Sequence, residues 1–112
     1  MVATVILDPG QMSARLDLEM RNDAGDGQGG IVPGFAPVTP LWARIEPVSV
    51  SEEERVDAEK FMGRHRIWIR FREDIAAGMR FRKGARSFTV RALHDPDETR
   101  RYLVCRCTED GR

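Results

Sequence analysis

The stretch that decides the fold is 65-HRIWIRFREDIAAGMRFRKGARSFTVRALHDPDETRRYLVCRC-107. Apolar and basic residues alternate along it with period two, the pattern of strands with one face buried and the other wet. Ile67, Ile69 and Phe71 take one side, while Arg66, Trp68, Arg70 and Arg72 take the other. Met79 and Phe81 repeat the device against Arg80 and Arg82, and the parity continues through Phe88, Val90 and Ala92. Gly78 and Lys83-Gly84 mark turns, and Asp95-Pro96-Asp97-Glu98 marks a hairpin before the strand around Val104. The pattern predicts a meander of antiparallel strands.

Upstream, Met12, Ala14, Leu16, Leu18 and Met20 alternate with Ser13, Arg15, Asp17, Glu19 and Arg21, which predicts another half-buried strand. Asp8-Pro9-Gly10 sets it off from a short apolar segment at residues 1–7. Leu41, Ala43 and Ile45 alternate with Trp42, Arg44 and Glu46 in a third strand that Pro47 ends. Between these two strands, residues 22–38 hold five Gly and two Pro, so a long loop is expected there. Ile31, Val32, Phe35 and Val38 gather in its second half, either folded back on the barrel or offered to a partner. Ser51-Glu52-Glu53-Glu54 has the form of a capping box, and a surface helix or protruding arm over about 51–62, ended by Gly63, is expected to follow.

These elements amount to about six antiparallel strands and one inserted helix. So small a sheet hides its edges most simply by closing, so the fold class is mainly β, a small barrel. A chain of 112 residues supports one core, and one domain over 1–112 is expected.

Charge excludes less than its zero total suggests. Eighteen basic and eighteen acidic side chains cancel, yet residues 1–59 hold four Arg against eleven acids, a net −7. Residues 64–106 hold eleven Arg and one Lys against five acids, a net +7. The halves can neutralise each other within one barrel or across identical neighbours. No apolar window is long enough for a membrane helix, and the N-terminus lacks the basic start of a signal peptide. Cys105 and Cys107, two apart on a strand, suit a reducing compartment rather than a disulfide.

No catalytic constellation or cofactor motif stands out: no Gly-x-Ser-x-Gly, no phosphate-cradling loop, no Cys with a positioned His. His65, His94 and the two Cys do not have the spacing of a zinc site. No enzyme activity and no cofactor are expected. Arg66, Trp68, Arg70, Arg72, Arg80 and Arg82 could instead place cations and an aromatic on one sheet surface. A monomeric barrel binding nucleic acid or another ligand through that face is the alternative function.

The ordered series Trp42-Ala43-x-Ile45-Glu46-Pro47, an acidic helical segment, His65-Arg66-x-x-Ile69-Arg70-Phe71-Arg72, Met79-Arg80-Phe81, Gly84-x-Arg86-x-Phe88-x-Val90, Asp95-Pro96 and Arg101-Tyr102-Leu103-x-Cys105 resembles the small head-tail adaptor or head-closure (stopper) proteins of siphophages. Related proteins occur in prophages and gene transfer agents. The resemblance covers about residues 12–107 and departs in the Gly-rich loop and the N-terminal segment. It implies a non-enzymatic ring subunit, with a six-fold ring favoured and a twelve-fold one open, at the neck of a virion assembled in the bacterial cytoplasm. Its implied partners are further copies of itself, a portal or adaptor protein, a tail terminator and double-stranded DNA passing through the ring; no membrane is implied. On this basis Glu52, Glu53 and Asp57 together with Arg66, Trp68, Arg70 and Arg72 are expected at subunit interfaces. Ile31, Val32 and Phe35 are expected to face the channel or a partner.

Overall fold

The computed structural model describes residues 9–48 and 64–110. After a short 3-10 turn at Pro9–Gln11 come β1 (Ala14–Arg21), β2 (Ala24–Gly25), β3 (Ile31–Val32) and β4 (Phe35–Pro47). These are followed by β5 (Arg64–Arg70), β6 (Arg80–Lys83), β7 (Arg86–His94) and β8 (Tyr102–Asp110). Six strands close a barrel in the order β1-β4-β5-β8-β7-β6, with β6 returning to β1 through Asp17–Arg82, Leu18–Phe81 and Glu19–Arg80. The expected mainly-β antiparallel barrel is therefore present. The inserted helix expected over 51–62 lies outside the described residues.

The barrel is two three-stranded meanders, β1-β4-β5 and β6-β7-β8, zipped together along β5–β8 and β1–β6. This corrects the expectation of one continuous meander from β5 onward. β5 and β6 are consecutive in sequence but lie on opposite sides of the closed sheet, with two strands between them in either direction. The connection over residues 71–79 crosses to β6, and Ile75 in its middle is buried in the core with Phe71 and Met79 packed against it. That burial of a loop residue gives the crossing its apolar driving force, which alternation within strands cannot reveal.

Leu16, Leu18, Ala43, Ile67, Ile69, Phe81, Phe88, Val90, Leu103, Cys105 and Cys107 fill the interior. Each large aliphatic or aromatic side chain among them contributes about 1.5–3 kcal/mol by burial. Two bulges interrupt the ladders. The β1–β4 register shifts between Leu18 and Glu19, where β4 carries Val38 as the extra residue; Glu19 stays opposite Arg80 as Asp17 stays opposite Arg82, and Met20 is 50% exposed near the end of β1. The β7–β8 register shifts between Val90 and Ala92, so Ala92 is exposed and Leu93 packs on the core in its place. A bulge adds one residue to one strand, which turns every later side chain to the other face.

The Gly-rich segment is more ordered than expected for a loop. β1 and β4 stay paired out to Arg21–Phe35, and β2 pairs with β3 through Ala24–Val32 and Gly25–Ile31. Asp26 organises the tip: its Oδ1 accepts from the backbone N–H of Gln28 at 2.7 Å and of Gly30 at 2.9 Å. Gly27 and Gly29 supply the left-handed backbone at φ 81° and 84° that other residues rarely adopt. Glycine thus shapes a hairpin here, where composition alone suggested only a loop.

Candidate functional site

The surface carries three features that the fold positions for contact. The first is the hairpin of β2 and β3, built on the end of the β1–β4 ladder. Ile31 is 70% exposed and Val32 51% exposed on it. Arg21 makes a bidentate pair with Asp23, which also accepts from the Gly34 N–H, and these bonds hold the Asp23 carboxyl below the usual carboxylate range. Asp26 is likewise lowered, by its bonds from Gln28 and Gly30. The hairpin is therefore shaped by backbone capping and not by burial of its apolar residues. Phe35 behaves differently from its two companions. It is partly buried, and the Arg80 guanidinium lies 3.7 Å from its ring centroid.

The second feature is the outer face of β5. Arg66 is exposed and pairs with Glu46 at 2.9 Å, across the β4–β5 ladder. Trp68 is partly covered by Met12 and Tyr102, and its indole N–H is buried without a hydrogen-bond partner among the described residues. Arg70 is exposed beside an open cleft that Met12 and Trp42 also line. Trp42 itself is 54% exposed, with Arg15 stacked 5.0 Å from its ring. Arg72 lies beyond the strand and is engaged by Asp74 through bonds of 2.8 and 2.6 Å, which lower the Asp74 carboxyl and raise the guanidinium. Glu52, Glu53 and Asp57 lie outside the described residues.

The third feature was not legible in the sequence. A recess of about 350 Å³ opens across β5, β8 and β7 and is ringed by Arg64, Arg66, Arg91 and Arg106, with Val48 and Ala92 among its walls. Arg66 and Arg106 are direct cross-strand partners. The bulge after Val90 helps expose Arg91, whose Nε donates to Thr108 Oγ1 at 2.9 Å. The signal that existed in the sequence was Arg106 between two inward cysteines; the pairing that sets it opposite Arg66 was not there to read.

The barrel order also dissolves the proposed single cationic face. Arg80 and Arg82 are on β6, opposite β5, and both turn to Glu19: Arg80 Nε at 2.6 Å and Arg82 at 3.9 Å. Part of the −7/+7 division is thus neutralised inside the molecule, through Glu19 with β6 and Glu46 with Arg66. Other pairs are local, such as Arg101 with the buried Asp97 at 3.0 Å, or lie within the basic half's own meander, such as Arg86 with Glu109 at 2.9 Å.

Among the described residues the interior holds two thiols and a histidine at its edge. Cys105 and Cys107 are buried free thiols, with burial pushing Cys105 up to about 12 and Cys107 higher still. His65 stands edge-on to Phe88 with ring centroids 5.1 Å apart and lies 3.9 Å from Glu109. Among the described residues no group of three His, Cys, Asp or Glu side chains is placed to hold a metal ion.

Comparison with known proteins fits a scaffold of surfaces. The solution structure of protein SF1141 from Shigella flexneri 2a is 29% identical, with a TM-score of 0.69 over 95% of this chain and 99% of that one. A chain from the virion of a native gene transfer agent particle is 26% identical, with a TM-score of 0.64 over 88% of this chain and 94% of that one. Among curated proteins none matches significantly. The sequence pattern of the phage head completion proteins matches residues 7–110, nearly the whole chain, and the chain belongs to that family.

Proposed function

We propose that the chain is a single-domain, non-enzymatic subunit that closes the filled head of a tailed phage or phage-like particle and joins it to the tail. Its copies form a ring, six-fold in preference to twelve-fold, between the portal or adaptor protein and the tail terminator. DNA passes through the ring, and assembly takes place in the bacterial cytoplasm before the protein becomes part of the particle neck. The observation that carries this reading is the family match over residues 7–110, together with the likeness to a gene transfer agent virion chain.

The surface geometry supports it. A closed barrel leaves few free strand edges, so contacts must be made by side-chain patches and projecting hairpins. Ile31 and Val32 are exposed apolar residues on such a hairpin, which we place toward the channel or the tail. Arg66, Trp68 and Arg70 on the outside of β5 are assigned to the ring interface together with Arg72, against the acidic run of Glu52, Glu53 and Asp57 on a neighbour. Rings are built from heterologous contacts, in which one patch meets a different patch on the next copy.

The test is particle assembly in a strain lacking the chain, complemented with variants. Without it, DNA-filled heads that fail to hold their DNA or to accept tails are expected, and the wild-type chain restores complete particles. Arg66→Glu with Arg70→Glu is expected to fold yet not to restore them. Unchanged particle yield with that pair would remove β5 from the interface. The nucleic-acid alternative predicts micromolar DNA binding by the monomer with a steep log-salt slope. The separation of β5 from β6 takes away its broad cationic platform.

A further inference from the structure

We infer that the recess ringed by Arg64, Arg66, Arg91 and Arg106 is a carboxylate-receiving site that takes the acidic run Ser51-Glu52-Glu53-Glu54-Arg55-Val56-Asp57-Ala58-Glu59 of a second copy of the chain. The inference rests on the ring reading above and deepens it by moving the partner of the acidic run from Arg70 and Arg72 to this recess, with Arg66 common to both.

Four guanidinium-bearing side chains converge from three adjacent strands, and no carboxylate lines the recess among the described residues. The nearby acids are engaged elsewhere. Glu46 is shared by Arg66 and Arg44, Glu109 by Arg86 and His65, and Asp110 accepts from Thr89. The Arg106 side chain makes no hydrogen bond or ion pair among the described residues, and Arg106 stands directly opposite Arg66. Like charges directly opposite on a sheet are unfavourable, so the arrangement is relieved when an anion sits between them. The planar guanidinium pairs with a carboxylate through two parallel bonds, which a row of Glu and Asp side chains supplies.

Shape favours a peptide over a duplex. A recess of about 350 Å³ is at the small end of binding pockets and has room for a few side chains, while a duplex would meet only its rim. Val48 and Ala92 give it an apolar wall suited to the Val56 and Ala58 interleaved among the acids. The supplier is a second copy because a ring requires that each subunit offer one patch and receive another.

The experiment titrates a synthetic peptide of residues 50–61 into the full chain carrying Glu52→Gln, Glu53→Gln and Asp57→Gln, so that the chain's own run does not compete. Fluorescence anisotropy is expected to report binding that weakens with salt. It should fall at least tenfold with Arg91→Glu plus Arg106→Glu, and by a similar factor when the acidic side chains of the peptide are replaced by amides. Arg15→Glu, on the other side of the sheet, should leave it unchanged. Equal binding to the Arg91→Glu, Arg106→Glu chain, or equal binding of the amide peptide, would overturn the inference even if one protein variant folded poorly. So would a double-stranded oligonucleotide that binds the recess while the peptide does not.

The second-copy assignment is tested by sedimentation of mixtures. The Arg91→Glu, Arg106→Glu chain and a Glu52→Lys, Glu53→Lys, Asp57→Lys chain should each stay monomeric and form one-to-one dimers when mixed. Mixtures that stay monomeric would overturn it. Loss of peptide binding would sink this inference and leave the head-completion role standing. Normal peptide binding beside unimpaired particles in a strain lacking the chain would do the reverse.

Discussion

Glu19 and Met20, adjacent on β1, make a prediction that hydrophobicity alone reverses. Hydrophobicity alone places Met20 in the core and Glu19 in water; Glu19, opposite Arg80 on the face it shares with Asp17 and Arg82, is 8% exposed, and Met20 is 50% exposed. Glu19 accepts from Arg80 Nε at 2.6 Å, with the side chains only 11% and 24% exposed, and Arg82 approaches at 3.9 Å. Glu19→Ala removes a charge-assisted bond, about 1.5–3 kcal/mol. Truncating one partner of a fully buried pair costs about 3–5 kcal/mol. Arg80 retains some solvent and its place over Phe35, so the lower range of about 1.5–3 kcal/mol applies. Met20→Gln should cost no more than about 0.5 kcal/mol, as for a surface site. Were Met20 a core residue, truncating it would cost about 2–5 kcal/mol. Urea unfolding followed by circular dichroism reads both, as shifts of midpoint at constant slope. A larger loss for Met20→Gln than for Glu19→Ala would refute the buried Glu19–Arg80 pair and the exposure of Met20.

Three further outcomes follow from the surfaces and the interior. Ile31→Asp with Val32→Asp should leave the unfolding midpoint within about 0.5 kcal/mol of wild type, because both residues are exposed, yet abolish completion of particles; retained completion would free the hairpin of a contact role. Asp26 has a folded pKa below its ordinary 3.8, so its contribution to the hairpin is present above that value and lost as pH falls through the lower folded one. NMR titration of the Gln28 and Gly30 amides should give a midpoint below 3.8, and a midpoint at or above it would contradict the capping. Neither Cys105 nor Cys107 should react with a thiol reagent at pH 8 in the folded protein, and both should react in denaturant; rapid native labelling would mean that the core opens.

Much of the barrel was legible because period-two alternation is imposed by a buried face. Ile67, Ile69, Phe81, Phe88 and Val90 all lie where that parity puts them. The parity fails beyond the β7 bulge, at Ala92, because the extra residue Arg91 is set by the pairing with β8 and leaves no local trace. Strand order failed for a related reason. Neighbours in sequence pair when the turn is tight, as at Gly84-Ala85 with Gly84 at φ 59°. The longer 71–79 connection lets β6 cross to β1, with Ile75 buried on the way. The surface features divided along the same line. Exposed Ile31 and Val32 could be found from composition, since apolar residues among glycines have no core to join locally. The arginine recess could not, since Arg66, Arg91 and Arg106 meet only through the β5–β8–β7 pairing.

The central claim is that this barrel is a ring subunit at the head-tail junction. Cryo-electron microscopy of purified particles, with the neck reconstructed at side-chain resolution, tests it most directly. The expected result is a closed ring of copies of this barrel beneath the portal, with the hairpin bearing Ile31 and Val32 in contact with the channel or the tail. A neck in which the barrel is absent, or present as an isolated copy without ring contacts, would contradict it.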